Sequence, residues 1–287
     1  MKDFSELNSR RKKSANLVII GAIGLIIGIV FTFLVEEYGF LAFPFIIVGI
    51  ILISVGGGQF QKLKTLFKTE YLTKALKEVF QDVVYDPFKG LPPERVYRDG
   101  ILKKADRFHS EDLIQGSFSN VKFVTCDLKL EERHVRQTKN GTQVYYVTYF
   151  LGRFFEFEFP KNFPGKIVLT EGSLLTWFTN LKKVELESVE FNRRFRTYTS
   201  DEHSAFYVLT PHLMESLLEL ERQNPGTIVC AFIDNRLTIA INNNRDTFEL
   251  NLFQEINDSA LQAMKKEMNV ISKIIEELRL NRKIYNN

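Results

Sequence analysis

The sequence is poor in the residues that most often announce chemistry, with 2 cysteines, 4 histidines and 1 tryptophan among 287 residues. Cys126 and Cys230 stand far apart in separate strand-like stretches. Their spacing excludes both a zinc ligand set and a disulfide framework, and predicts two reduced, semi-buried thiols. His109, His134, His203 and His212 fall in no HExxH, HxH or Cys/His spacing, so no metal site is expected. A G-x-S-x-G elbow, a Walker loop and a GxGxxG turn are all missing. The triplet Gly56-Gly57-Gly58 lacks the lysine and hydroxyl residue of a phosphate loop, so no cofactor is expected. With 16 glycines and 8 prolines the chain is not predominantly disordered.

Basic excess is also scarce outside one region. Residues 1–68 hold Lys2, Arg10, Arg11, Lys12, Lys13, Lys62, Lys64 and Lys68 against Asp3, Glu6, Glu36 and Glu37. Of the 38 basic and 35 acidic residues, this leaves 30 and 31 for the rest of the chain. The net charge of +3 therefore surrounds the apolar segments, which argues against nucleic acid as a partner and for a membrane.

Two runs lack charge altogether, 17–35 and 39–57, each 19 residues long. At ~1.5 Å per residue each reaches ~28 Å, about the thickness of a bilayer's hydrocarbon core. The first run has no small-x-small cleavage site and is followed at once by the second, so a retained helical hairpin is expected. Arg10 to Lys13 precede it, Lys62, Lys64 and Lys68 follow it, and Glu36-Glu37-Tyr38 between the runs has no basic residue. The positive-inside rule places both termini in the cytoplasm, giving a two-span protein of the cell membrane. Gly21, Gly24 and Gly28 share one helix face, suited to packing against the second span or against another chain. Neither run carries an ionisable residue of the kind that marks a transport path, so the hairpin reads as an anchor.

Beyond the triple glycine, apolar residues at helical steps predict an amphipathic juxtamembrane helix over 61–84. Its Lys62, Lys64 and Lys68 could meet anionic headgroups, or its apolar stripe could dock on the domain that follows. The period then changes to two. Strands are expected at 121–131, at 143–150 and 154–159 around the Asn140-Gly141 hairpin signal, from about 167, and over 184–191. Ala205 to Leu209 reads as another short apolar run. Residues 227–233 and 237–241 are expected to pair about Asp234-Asn235-Arg236. Thr210-Pro211 starts a helix that Asn224-Pro225-Gly226 ends. The layout is α+β and antiparallel: a basic N-terminus at 1–16, the hairpin at 17–57, the helix at 61–84, a domain at 93–253 and a final helix at 255–281. In that last helix, Ser259 to Gln262 fits a capping box, and Leu261, Met264, Met268, Ile271, Ile275 and Leu278 keep a heptad rhythm. The stripe serves either internal docking or a helix from another protein.

Arg193, Arg194 and Arg196 beside Asp201, Glu202 and His203 are the one grouping that looks like a site. Strand alternation would separate these arginines, which favours an interaction surface over an enzyme. The run VELESVEFNRRFRTYTSDEHSAFYVLTPHLMESLLEL, with its E-F-N-x-x-F and L-T-P, resembles the signature of a bacterial membrane-protein family, the domain of unknown function numbered 3137. The resemblance implies two membrane helices and a cytoplasmic domain at the bacterial inner membrane, companions of LemA-type envelope proteins, and no catalytic residues. A membrane-anchored interaction or scaffold domain, with a protein partner or as a homo-oligomer, is the expected role. A membrane-surface enzyme using Arg193 to His203 and a lipid-sensing regulator are its alternatives.

Overall fold

The computed structural model describes residues 4–34, 38–80, 82–139, 141–171 and 180–280, with backbone alone at 159–161, 163–164, 258–261 and 263–264. The expected turn at Glu36-Glu37 and the side chains of the capping box lie largely outside these residues. Two compact units form, one from 1–72 with 248–265, the other from 73–247 with 266–287.

The first unit is a helical hairpin. α1 (Phe4–Leu34) and α2 (Phe43–Leu66) are joined through a 3-10 turn at Gly39–Ala42. Both are long and apolar enough to cross a membrane. Side chains such as Ile20, Ile26, Phe43 and Ile47 point outward, as they would toward lipid rather than toward a core. The helices run antiparallel at close range. A Cβ on Gly21 would stand 2.7 Å from the Gly49 carbonyl oxygen, one on Gly28 2.7 Å from Ile46 Cγ1, and one on Gly56 2.8 Å from the Ser14 carbonyl oxygen. Gly56 is thus a packing residue, and the triple glycine does not interrupt the helix. α2 passes through a π-helical turn at Phe67–Leu72 into α3 (Thr73–Val79).

The second unit is built on a seven-stranded sheet, antiparallel at every described pairing. Its strands are β1 (Val84–Asp86), β2 (Arg107–Phe118), β3 (Val121–Thr138), β4 (Gly141–Thr170), β5 (Lys182–Val184), β6 (Arg196–Thr199) and β7 (Thr227–Asn242). The spine is β4. It pairs with β3 along its first part, β6 along its last, and β7 on its other side. Two expectations change here. The strands expected at 154–159 and from about 167 are one, because the register shifts beside Pro160 and Pro164-Gly165 absorb the missing donors as bulges do. Nor do 227–233 and 237–241 form a hairpin. Asp234, at φ 53°, bends one continuous strand whose two halves both pair with β4.

Both faces of the sheet are covered. On one, Cys126, Leu128, Phe150, Phe154 and Ala240 pack with Val96, Ile101 and Leu102 from α4 (Pro93–Tyr97) and its following loop. On the other lie Phe123, Phe155 and Phe157, and Arg153 reaches the backbone of α8 (Asp258–Glu277) there. Burial on both faces explains why the period-two signal blurs into the continuous apolar run of β4.

A third correction concerns 184–209. Val189–Arg194 is a helix, α5, and Glu202–Val208 another, α6, where strands were expected. Both are capped locally: Ser188 Oγ accepts from Phe191 N at 3.2 Å, and Asp201 Oδ2 from Ser204 N at 2.9 Å. α7 (Pro211–Gln223) starts on Thr210, whose Oγ1 accepts from Leu213 N.

Candidate functional site

The arginine-rich stretch resolves into scaffolding. Phe191 and Phe195 are buried with ring centres 5.0 Å apart. Asn192 grips the backbone of Leu186 twice, its Nδ2 donating to the carbonyl at 2.7 Å and its Oδ1 accepting from the amide at 3.1 Å. Arg194 pairs with Glu221 at 3.3 Å, while Arg193, Arg196 and His203 are exposed. Asp201 serves as a helix cap, and the hydrogen bonds from Ser204 hold its carboxyl below the ordinary value. Of the residues that looked like a site, Asp201 closes a turn and Arg194 is paired, while Arg193, Arg196 and His203 stay at the surface without converging on a pocket among the described residues.

The heptad stripe is used internally. Met268, Ile271, Ile275 and Leu278 are buried, and the side chains of Leu261 and Met264 lie outside the described set. In the hairpin, Gly21 and Gly28 face α2, while a Cβ on Gly24 would meet ordinary contacts at 3.8 Å and beyond.

The base of the hairpin carries a feature with no sequence signal. Residues 248–257 form a strap across the ends of α1 and α2. Asn8 bonds the Ile256 backbone on both sides, its Nδ2 donating at 2.6 Å and its Oδ1 accepting at 2.9 Å. The Arg11 guanidinium, almost wholly buried, donates to the Leu252 carbonyl at 2.9 Å. Leu7, Phe60, Leu63, Phe67, Leu250 and Ile256 form the apolar contact beneath. Glu249 takes the ammonium groups of both Lys64 and Lys68, the latter at 2.9 Å. Burial pushes the Glu249 carboxyl up, and the two lysines outweigh it, holding it below the ordinary value. Of the three lysines expected to touch lipid, Lys68 is thus buried, Lys64 is partly covered and bound to Glu249, and Lys62 alone is exposed.

In the sheet, one strand pair outruns its neighbours. Pairing of β2 with β3 ends at Arg107 opposite Glu131, and beyond it Glu132–Thr138 pairs with Gly141–Val147 alone among the described residues. Asn140 is outside them. This ribbon carries apolar side chains on both faces among its polar ones. Val135 sits opposite Val144, and His134 opposite Tyr145, whose ring stacks on it at 5.4 Å. Val135, Val144, Tyr145 and Val147 are each 43–50% exposed. The ribbon's root is stiffened by the Arg107 guanidinium, 3.4 Å above the Tyr146 ring.

Buried charge is concentrated at the sheet's centre. Arg153 and Asp127 face each other across β3 and β4, Nε to Oδ1 at 3.3 Å, both nearly inaccessible. Arg153 also donates to Thr125 Oγ1 and to the Glu267 carbonyl, each at 3.3 Å. Burial pushes the Asp127 carboxyl from 3.8 up to about 7, against the pull of Arg153 and of the Thr247 amide. Nearby, carboxylate oxygens of Glu111, Asp112 and Asp246 come within 4.8 Å of one another, the donor type and spacing a hard divalent cation takes. Asp112 occupies a β-bulge of β2 and accepts from the Tyr85 hydroxyl. On the opposite face Glu156 holds Arg95 at 2.8 Å and Arg98 at 2.6 Å.

The Asp127 shift gives a pH dependence. The folded state keeps this proton at pH values where the unfolded chain has lost it, so the stability it contributes is full below about pH 4 and declines up to about pH 7. Burial also pushes Glu171 and Glu277 up, in the same direction. The melting temperature of the detergent-solubilised chain should fall from pH 5 to pH 8. Asp127→Asn should remove most of that slope, and an unchanged slope would show that Asp127 is ionised throughout.

Residues 148–280 match the family model described as "Protein of unknown function (DUF3137)". None of the curated proteins matches the chain. Among solved structures, the mycobacterial trehalose monomycolate transport factor A, TtfA, aligns at 6% identity over 71% of this chain and 92% of that one, with a TM-score of 0.37.

Proposed function

We propose that this chain, which carries a DUF3137 domain in its C-terminal half, is a membrane-anchored interaction protein. Its hairpin lies in the cell membrane, with both termini and the sheet unit on the cytoplasmic side. The basic flanks of the two spans and the absence of basic residues in 36–38 support that orientation. The observation that carries the interaction reading is the ribbon at 132–147. A two-stranded arm with exposed valines and tyrosine on both faces costs solvation that a soluble surface does not need, and exposed apolar patches of this kind mark contact sites. Aromatic residues there are of the type that anchors interfaces.

The test uses the full chain in native membranes. Alkaline extraction should leave it in the membrane fraction, and a reporter fused after Asn287 should read as cytoplasmic. A photoreactive residue at Tyr145 should then give a discrete crosslinked protein, with a LemA-type envelope protein the first candidate. Val144→Asp should lower its yield about tenfold, the scale of a lost interface anchor. Equal yield from the variant, or crosslinks only to lipid, would refute the ribbon as the contact.

A further inference from the structure

The base of the hairpin separates its cations into two sets. Arg11, Lys64 and Lys68 are consumed by the strap, through the Leu252 carbonyl and Glu249. Arg10, Lys13 and Lys62 are not. Together with Ser14, Gln59, Leu63 and Leu66 they line a cleft of about 340 Å³ between α1 and α2. We infer that this cleft binds the headgroup of an anionic phospholipid from the cytoplasmic leaflet.

Charge, depth and shape agree on that occupant. Arg10 bonds Glu6 at 2.7 Å, but both are largely exposed, and exposed pairs of this kind hold weakly enough to be exchanged. Three cations against one carboxylate leave the cleft at +2, where a phosphodiester carries a single negative charge. Lys13 lies four residues before the first apolar run and Lys62 five after the second. At ~1.5 Å per residue they stand ~6 and ~7.5 Å beyond the hydrocarbon edge, which is the phosphate layer of a bilayer whose polar regions add roughly 5–7 Å on each side. The ammonium groups can snorkel onto the phosphate while their stems follow the helices. Leu63 and Leu66 give the floor an apolar side, suited to a glycerol backbone and the first methylenes rather than to a free, fully hydrated anion. Ser14 is not a ligand, because its hydroxyl already donates to the Arg10 carbonyl at 3.1 Å.

This inference rests on the hairpin spanning the membrane, and its test separates the two. The full chain, stripped of native lipid in detergent, is mixed with phosphatidylglycerol or phosphatidylcholine, and retained lipid is counted by native mass spectrometry. One phosphatidylglycerol should be retained in clear preference to phosphatidylcholine. The double variant Lys13→Gln, Lys62→Gln should weaken retention about tenfold, as the loss of two interfacial cations predicts. Lys74→Gln with Lys77→Gln, exposed on α3, should leave it unchanged. Equal retention of the two lipids, or equal loss in both double variants, overturns the assignment. Displacement of the lipid by inorganic phosphate alone overturns it in favour of a free anion. Release of the chain from membranes by alkaline extraction instead refutes the anchor on which it rests.

Discussion

Arg153→Met should destabilise the sheet unit by about 3–5 kcal/mol, the range found when one partner of a buried ion pair is removed. The side chain is almost inaccessible, and methionine has the volume but neither the charge that faces Asp127 nor the donors that reach Thr125 and Glu267. Asp127 is then left in the sheet without its cation. At pH 8 it must stay charged at a high cost or take up a proton, whereas at pH 6 it already holds its proton, so the loss should be larger at pH 8 than at pH 6. Thermal melts of the solubilised chain at the two pH values read both effects. A second variant carries the argument: Arg153→Met with Asp127→Leu should recover most of the loss, because a buried pair replaced by apolar residues is often neutral. If the double variant is as unstable as the two single losses summed, the pair is not coupled and the reading fails.

Gly49→Ala should open the hairpin. The added methyl would lie 2.8 Å from the Gly21 carbonyl oxygen and 2.9 Å from Leu25 Cγ, with backbone on one side that has nowhere to move. Overpacking of this kind costs about 1–3 kcal/mol, and in lipid it acts on packing that is itself the main force joining the helices. The measurement is the resistance of the hairpin to thermal or detergent-induced unfolding. Gly24→Ala serves as the comparison, since its methyl would meet only contacts of 3.8 Å and longer. A Gly24 variant as damaged as the Gly49 variant would place the critical glycine face elsewhere, on a seam between chains.

What could be read from sequence followed the strength of local signals. The two helices long and apolar enough to cross a membrane announce themselves, because a charge-free run of that length is the composition a bilayer demands. The α+β antiparallel layout was legible in the alternation of β3 and in the capped start of α7 at Thr210-Pro211. The stretch around Asn192 misled, because V-E-F-N alternates like a strand while Ser188 and Asn192 use their side chains to close a helix turn instead. Asp234-Asn235-Arg236 misled in the opposite direction, since the same residues that make turns also bend a continuous strand. The strap, the Arg153–Asp127 pair and the point where β2 stops pairing with β3 depend on contacts between distant parts of the chain, for which one sequence carries no pattern. Residues 248–257 in particular fall across the end of the expected 93–253 domain and the start of the expected 255–281 helix, with no pattern of their own.

That strap changes what counts as a separable piece of this protein. Residues 73–247 lie between two stretches of the hairpin unit and 266–287 return to the sheet unit, so the sheet does not simply follow the hairpin. A fragment begun after Leu72 would lose α1 and α2 yet keep Leu250, Leu252 and Ile256, whose apolar surface those helices cover. Trimming the membrane spans to make a soluble domain therefore exposes a sticky segment near the far end of the chain. The boundary between the two units is drawn three times along the sequence, after residues 72, 247 and 265, and a cut at only one of the three places leaves neither part whole.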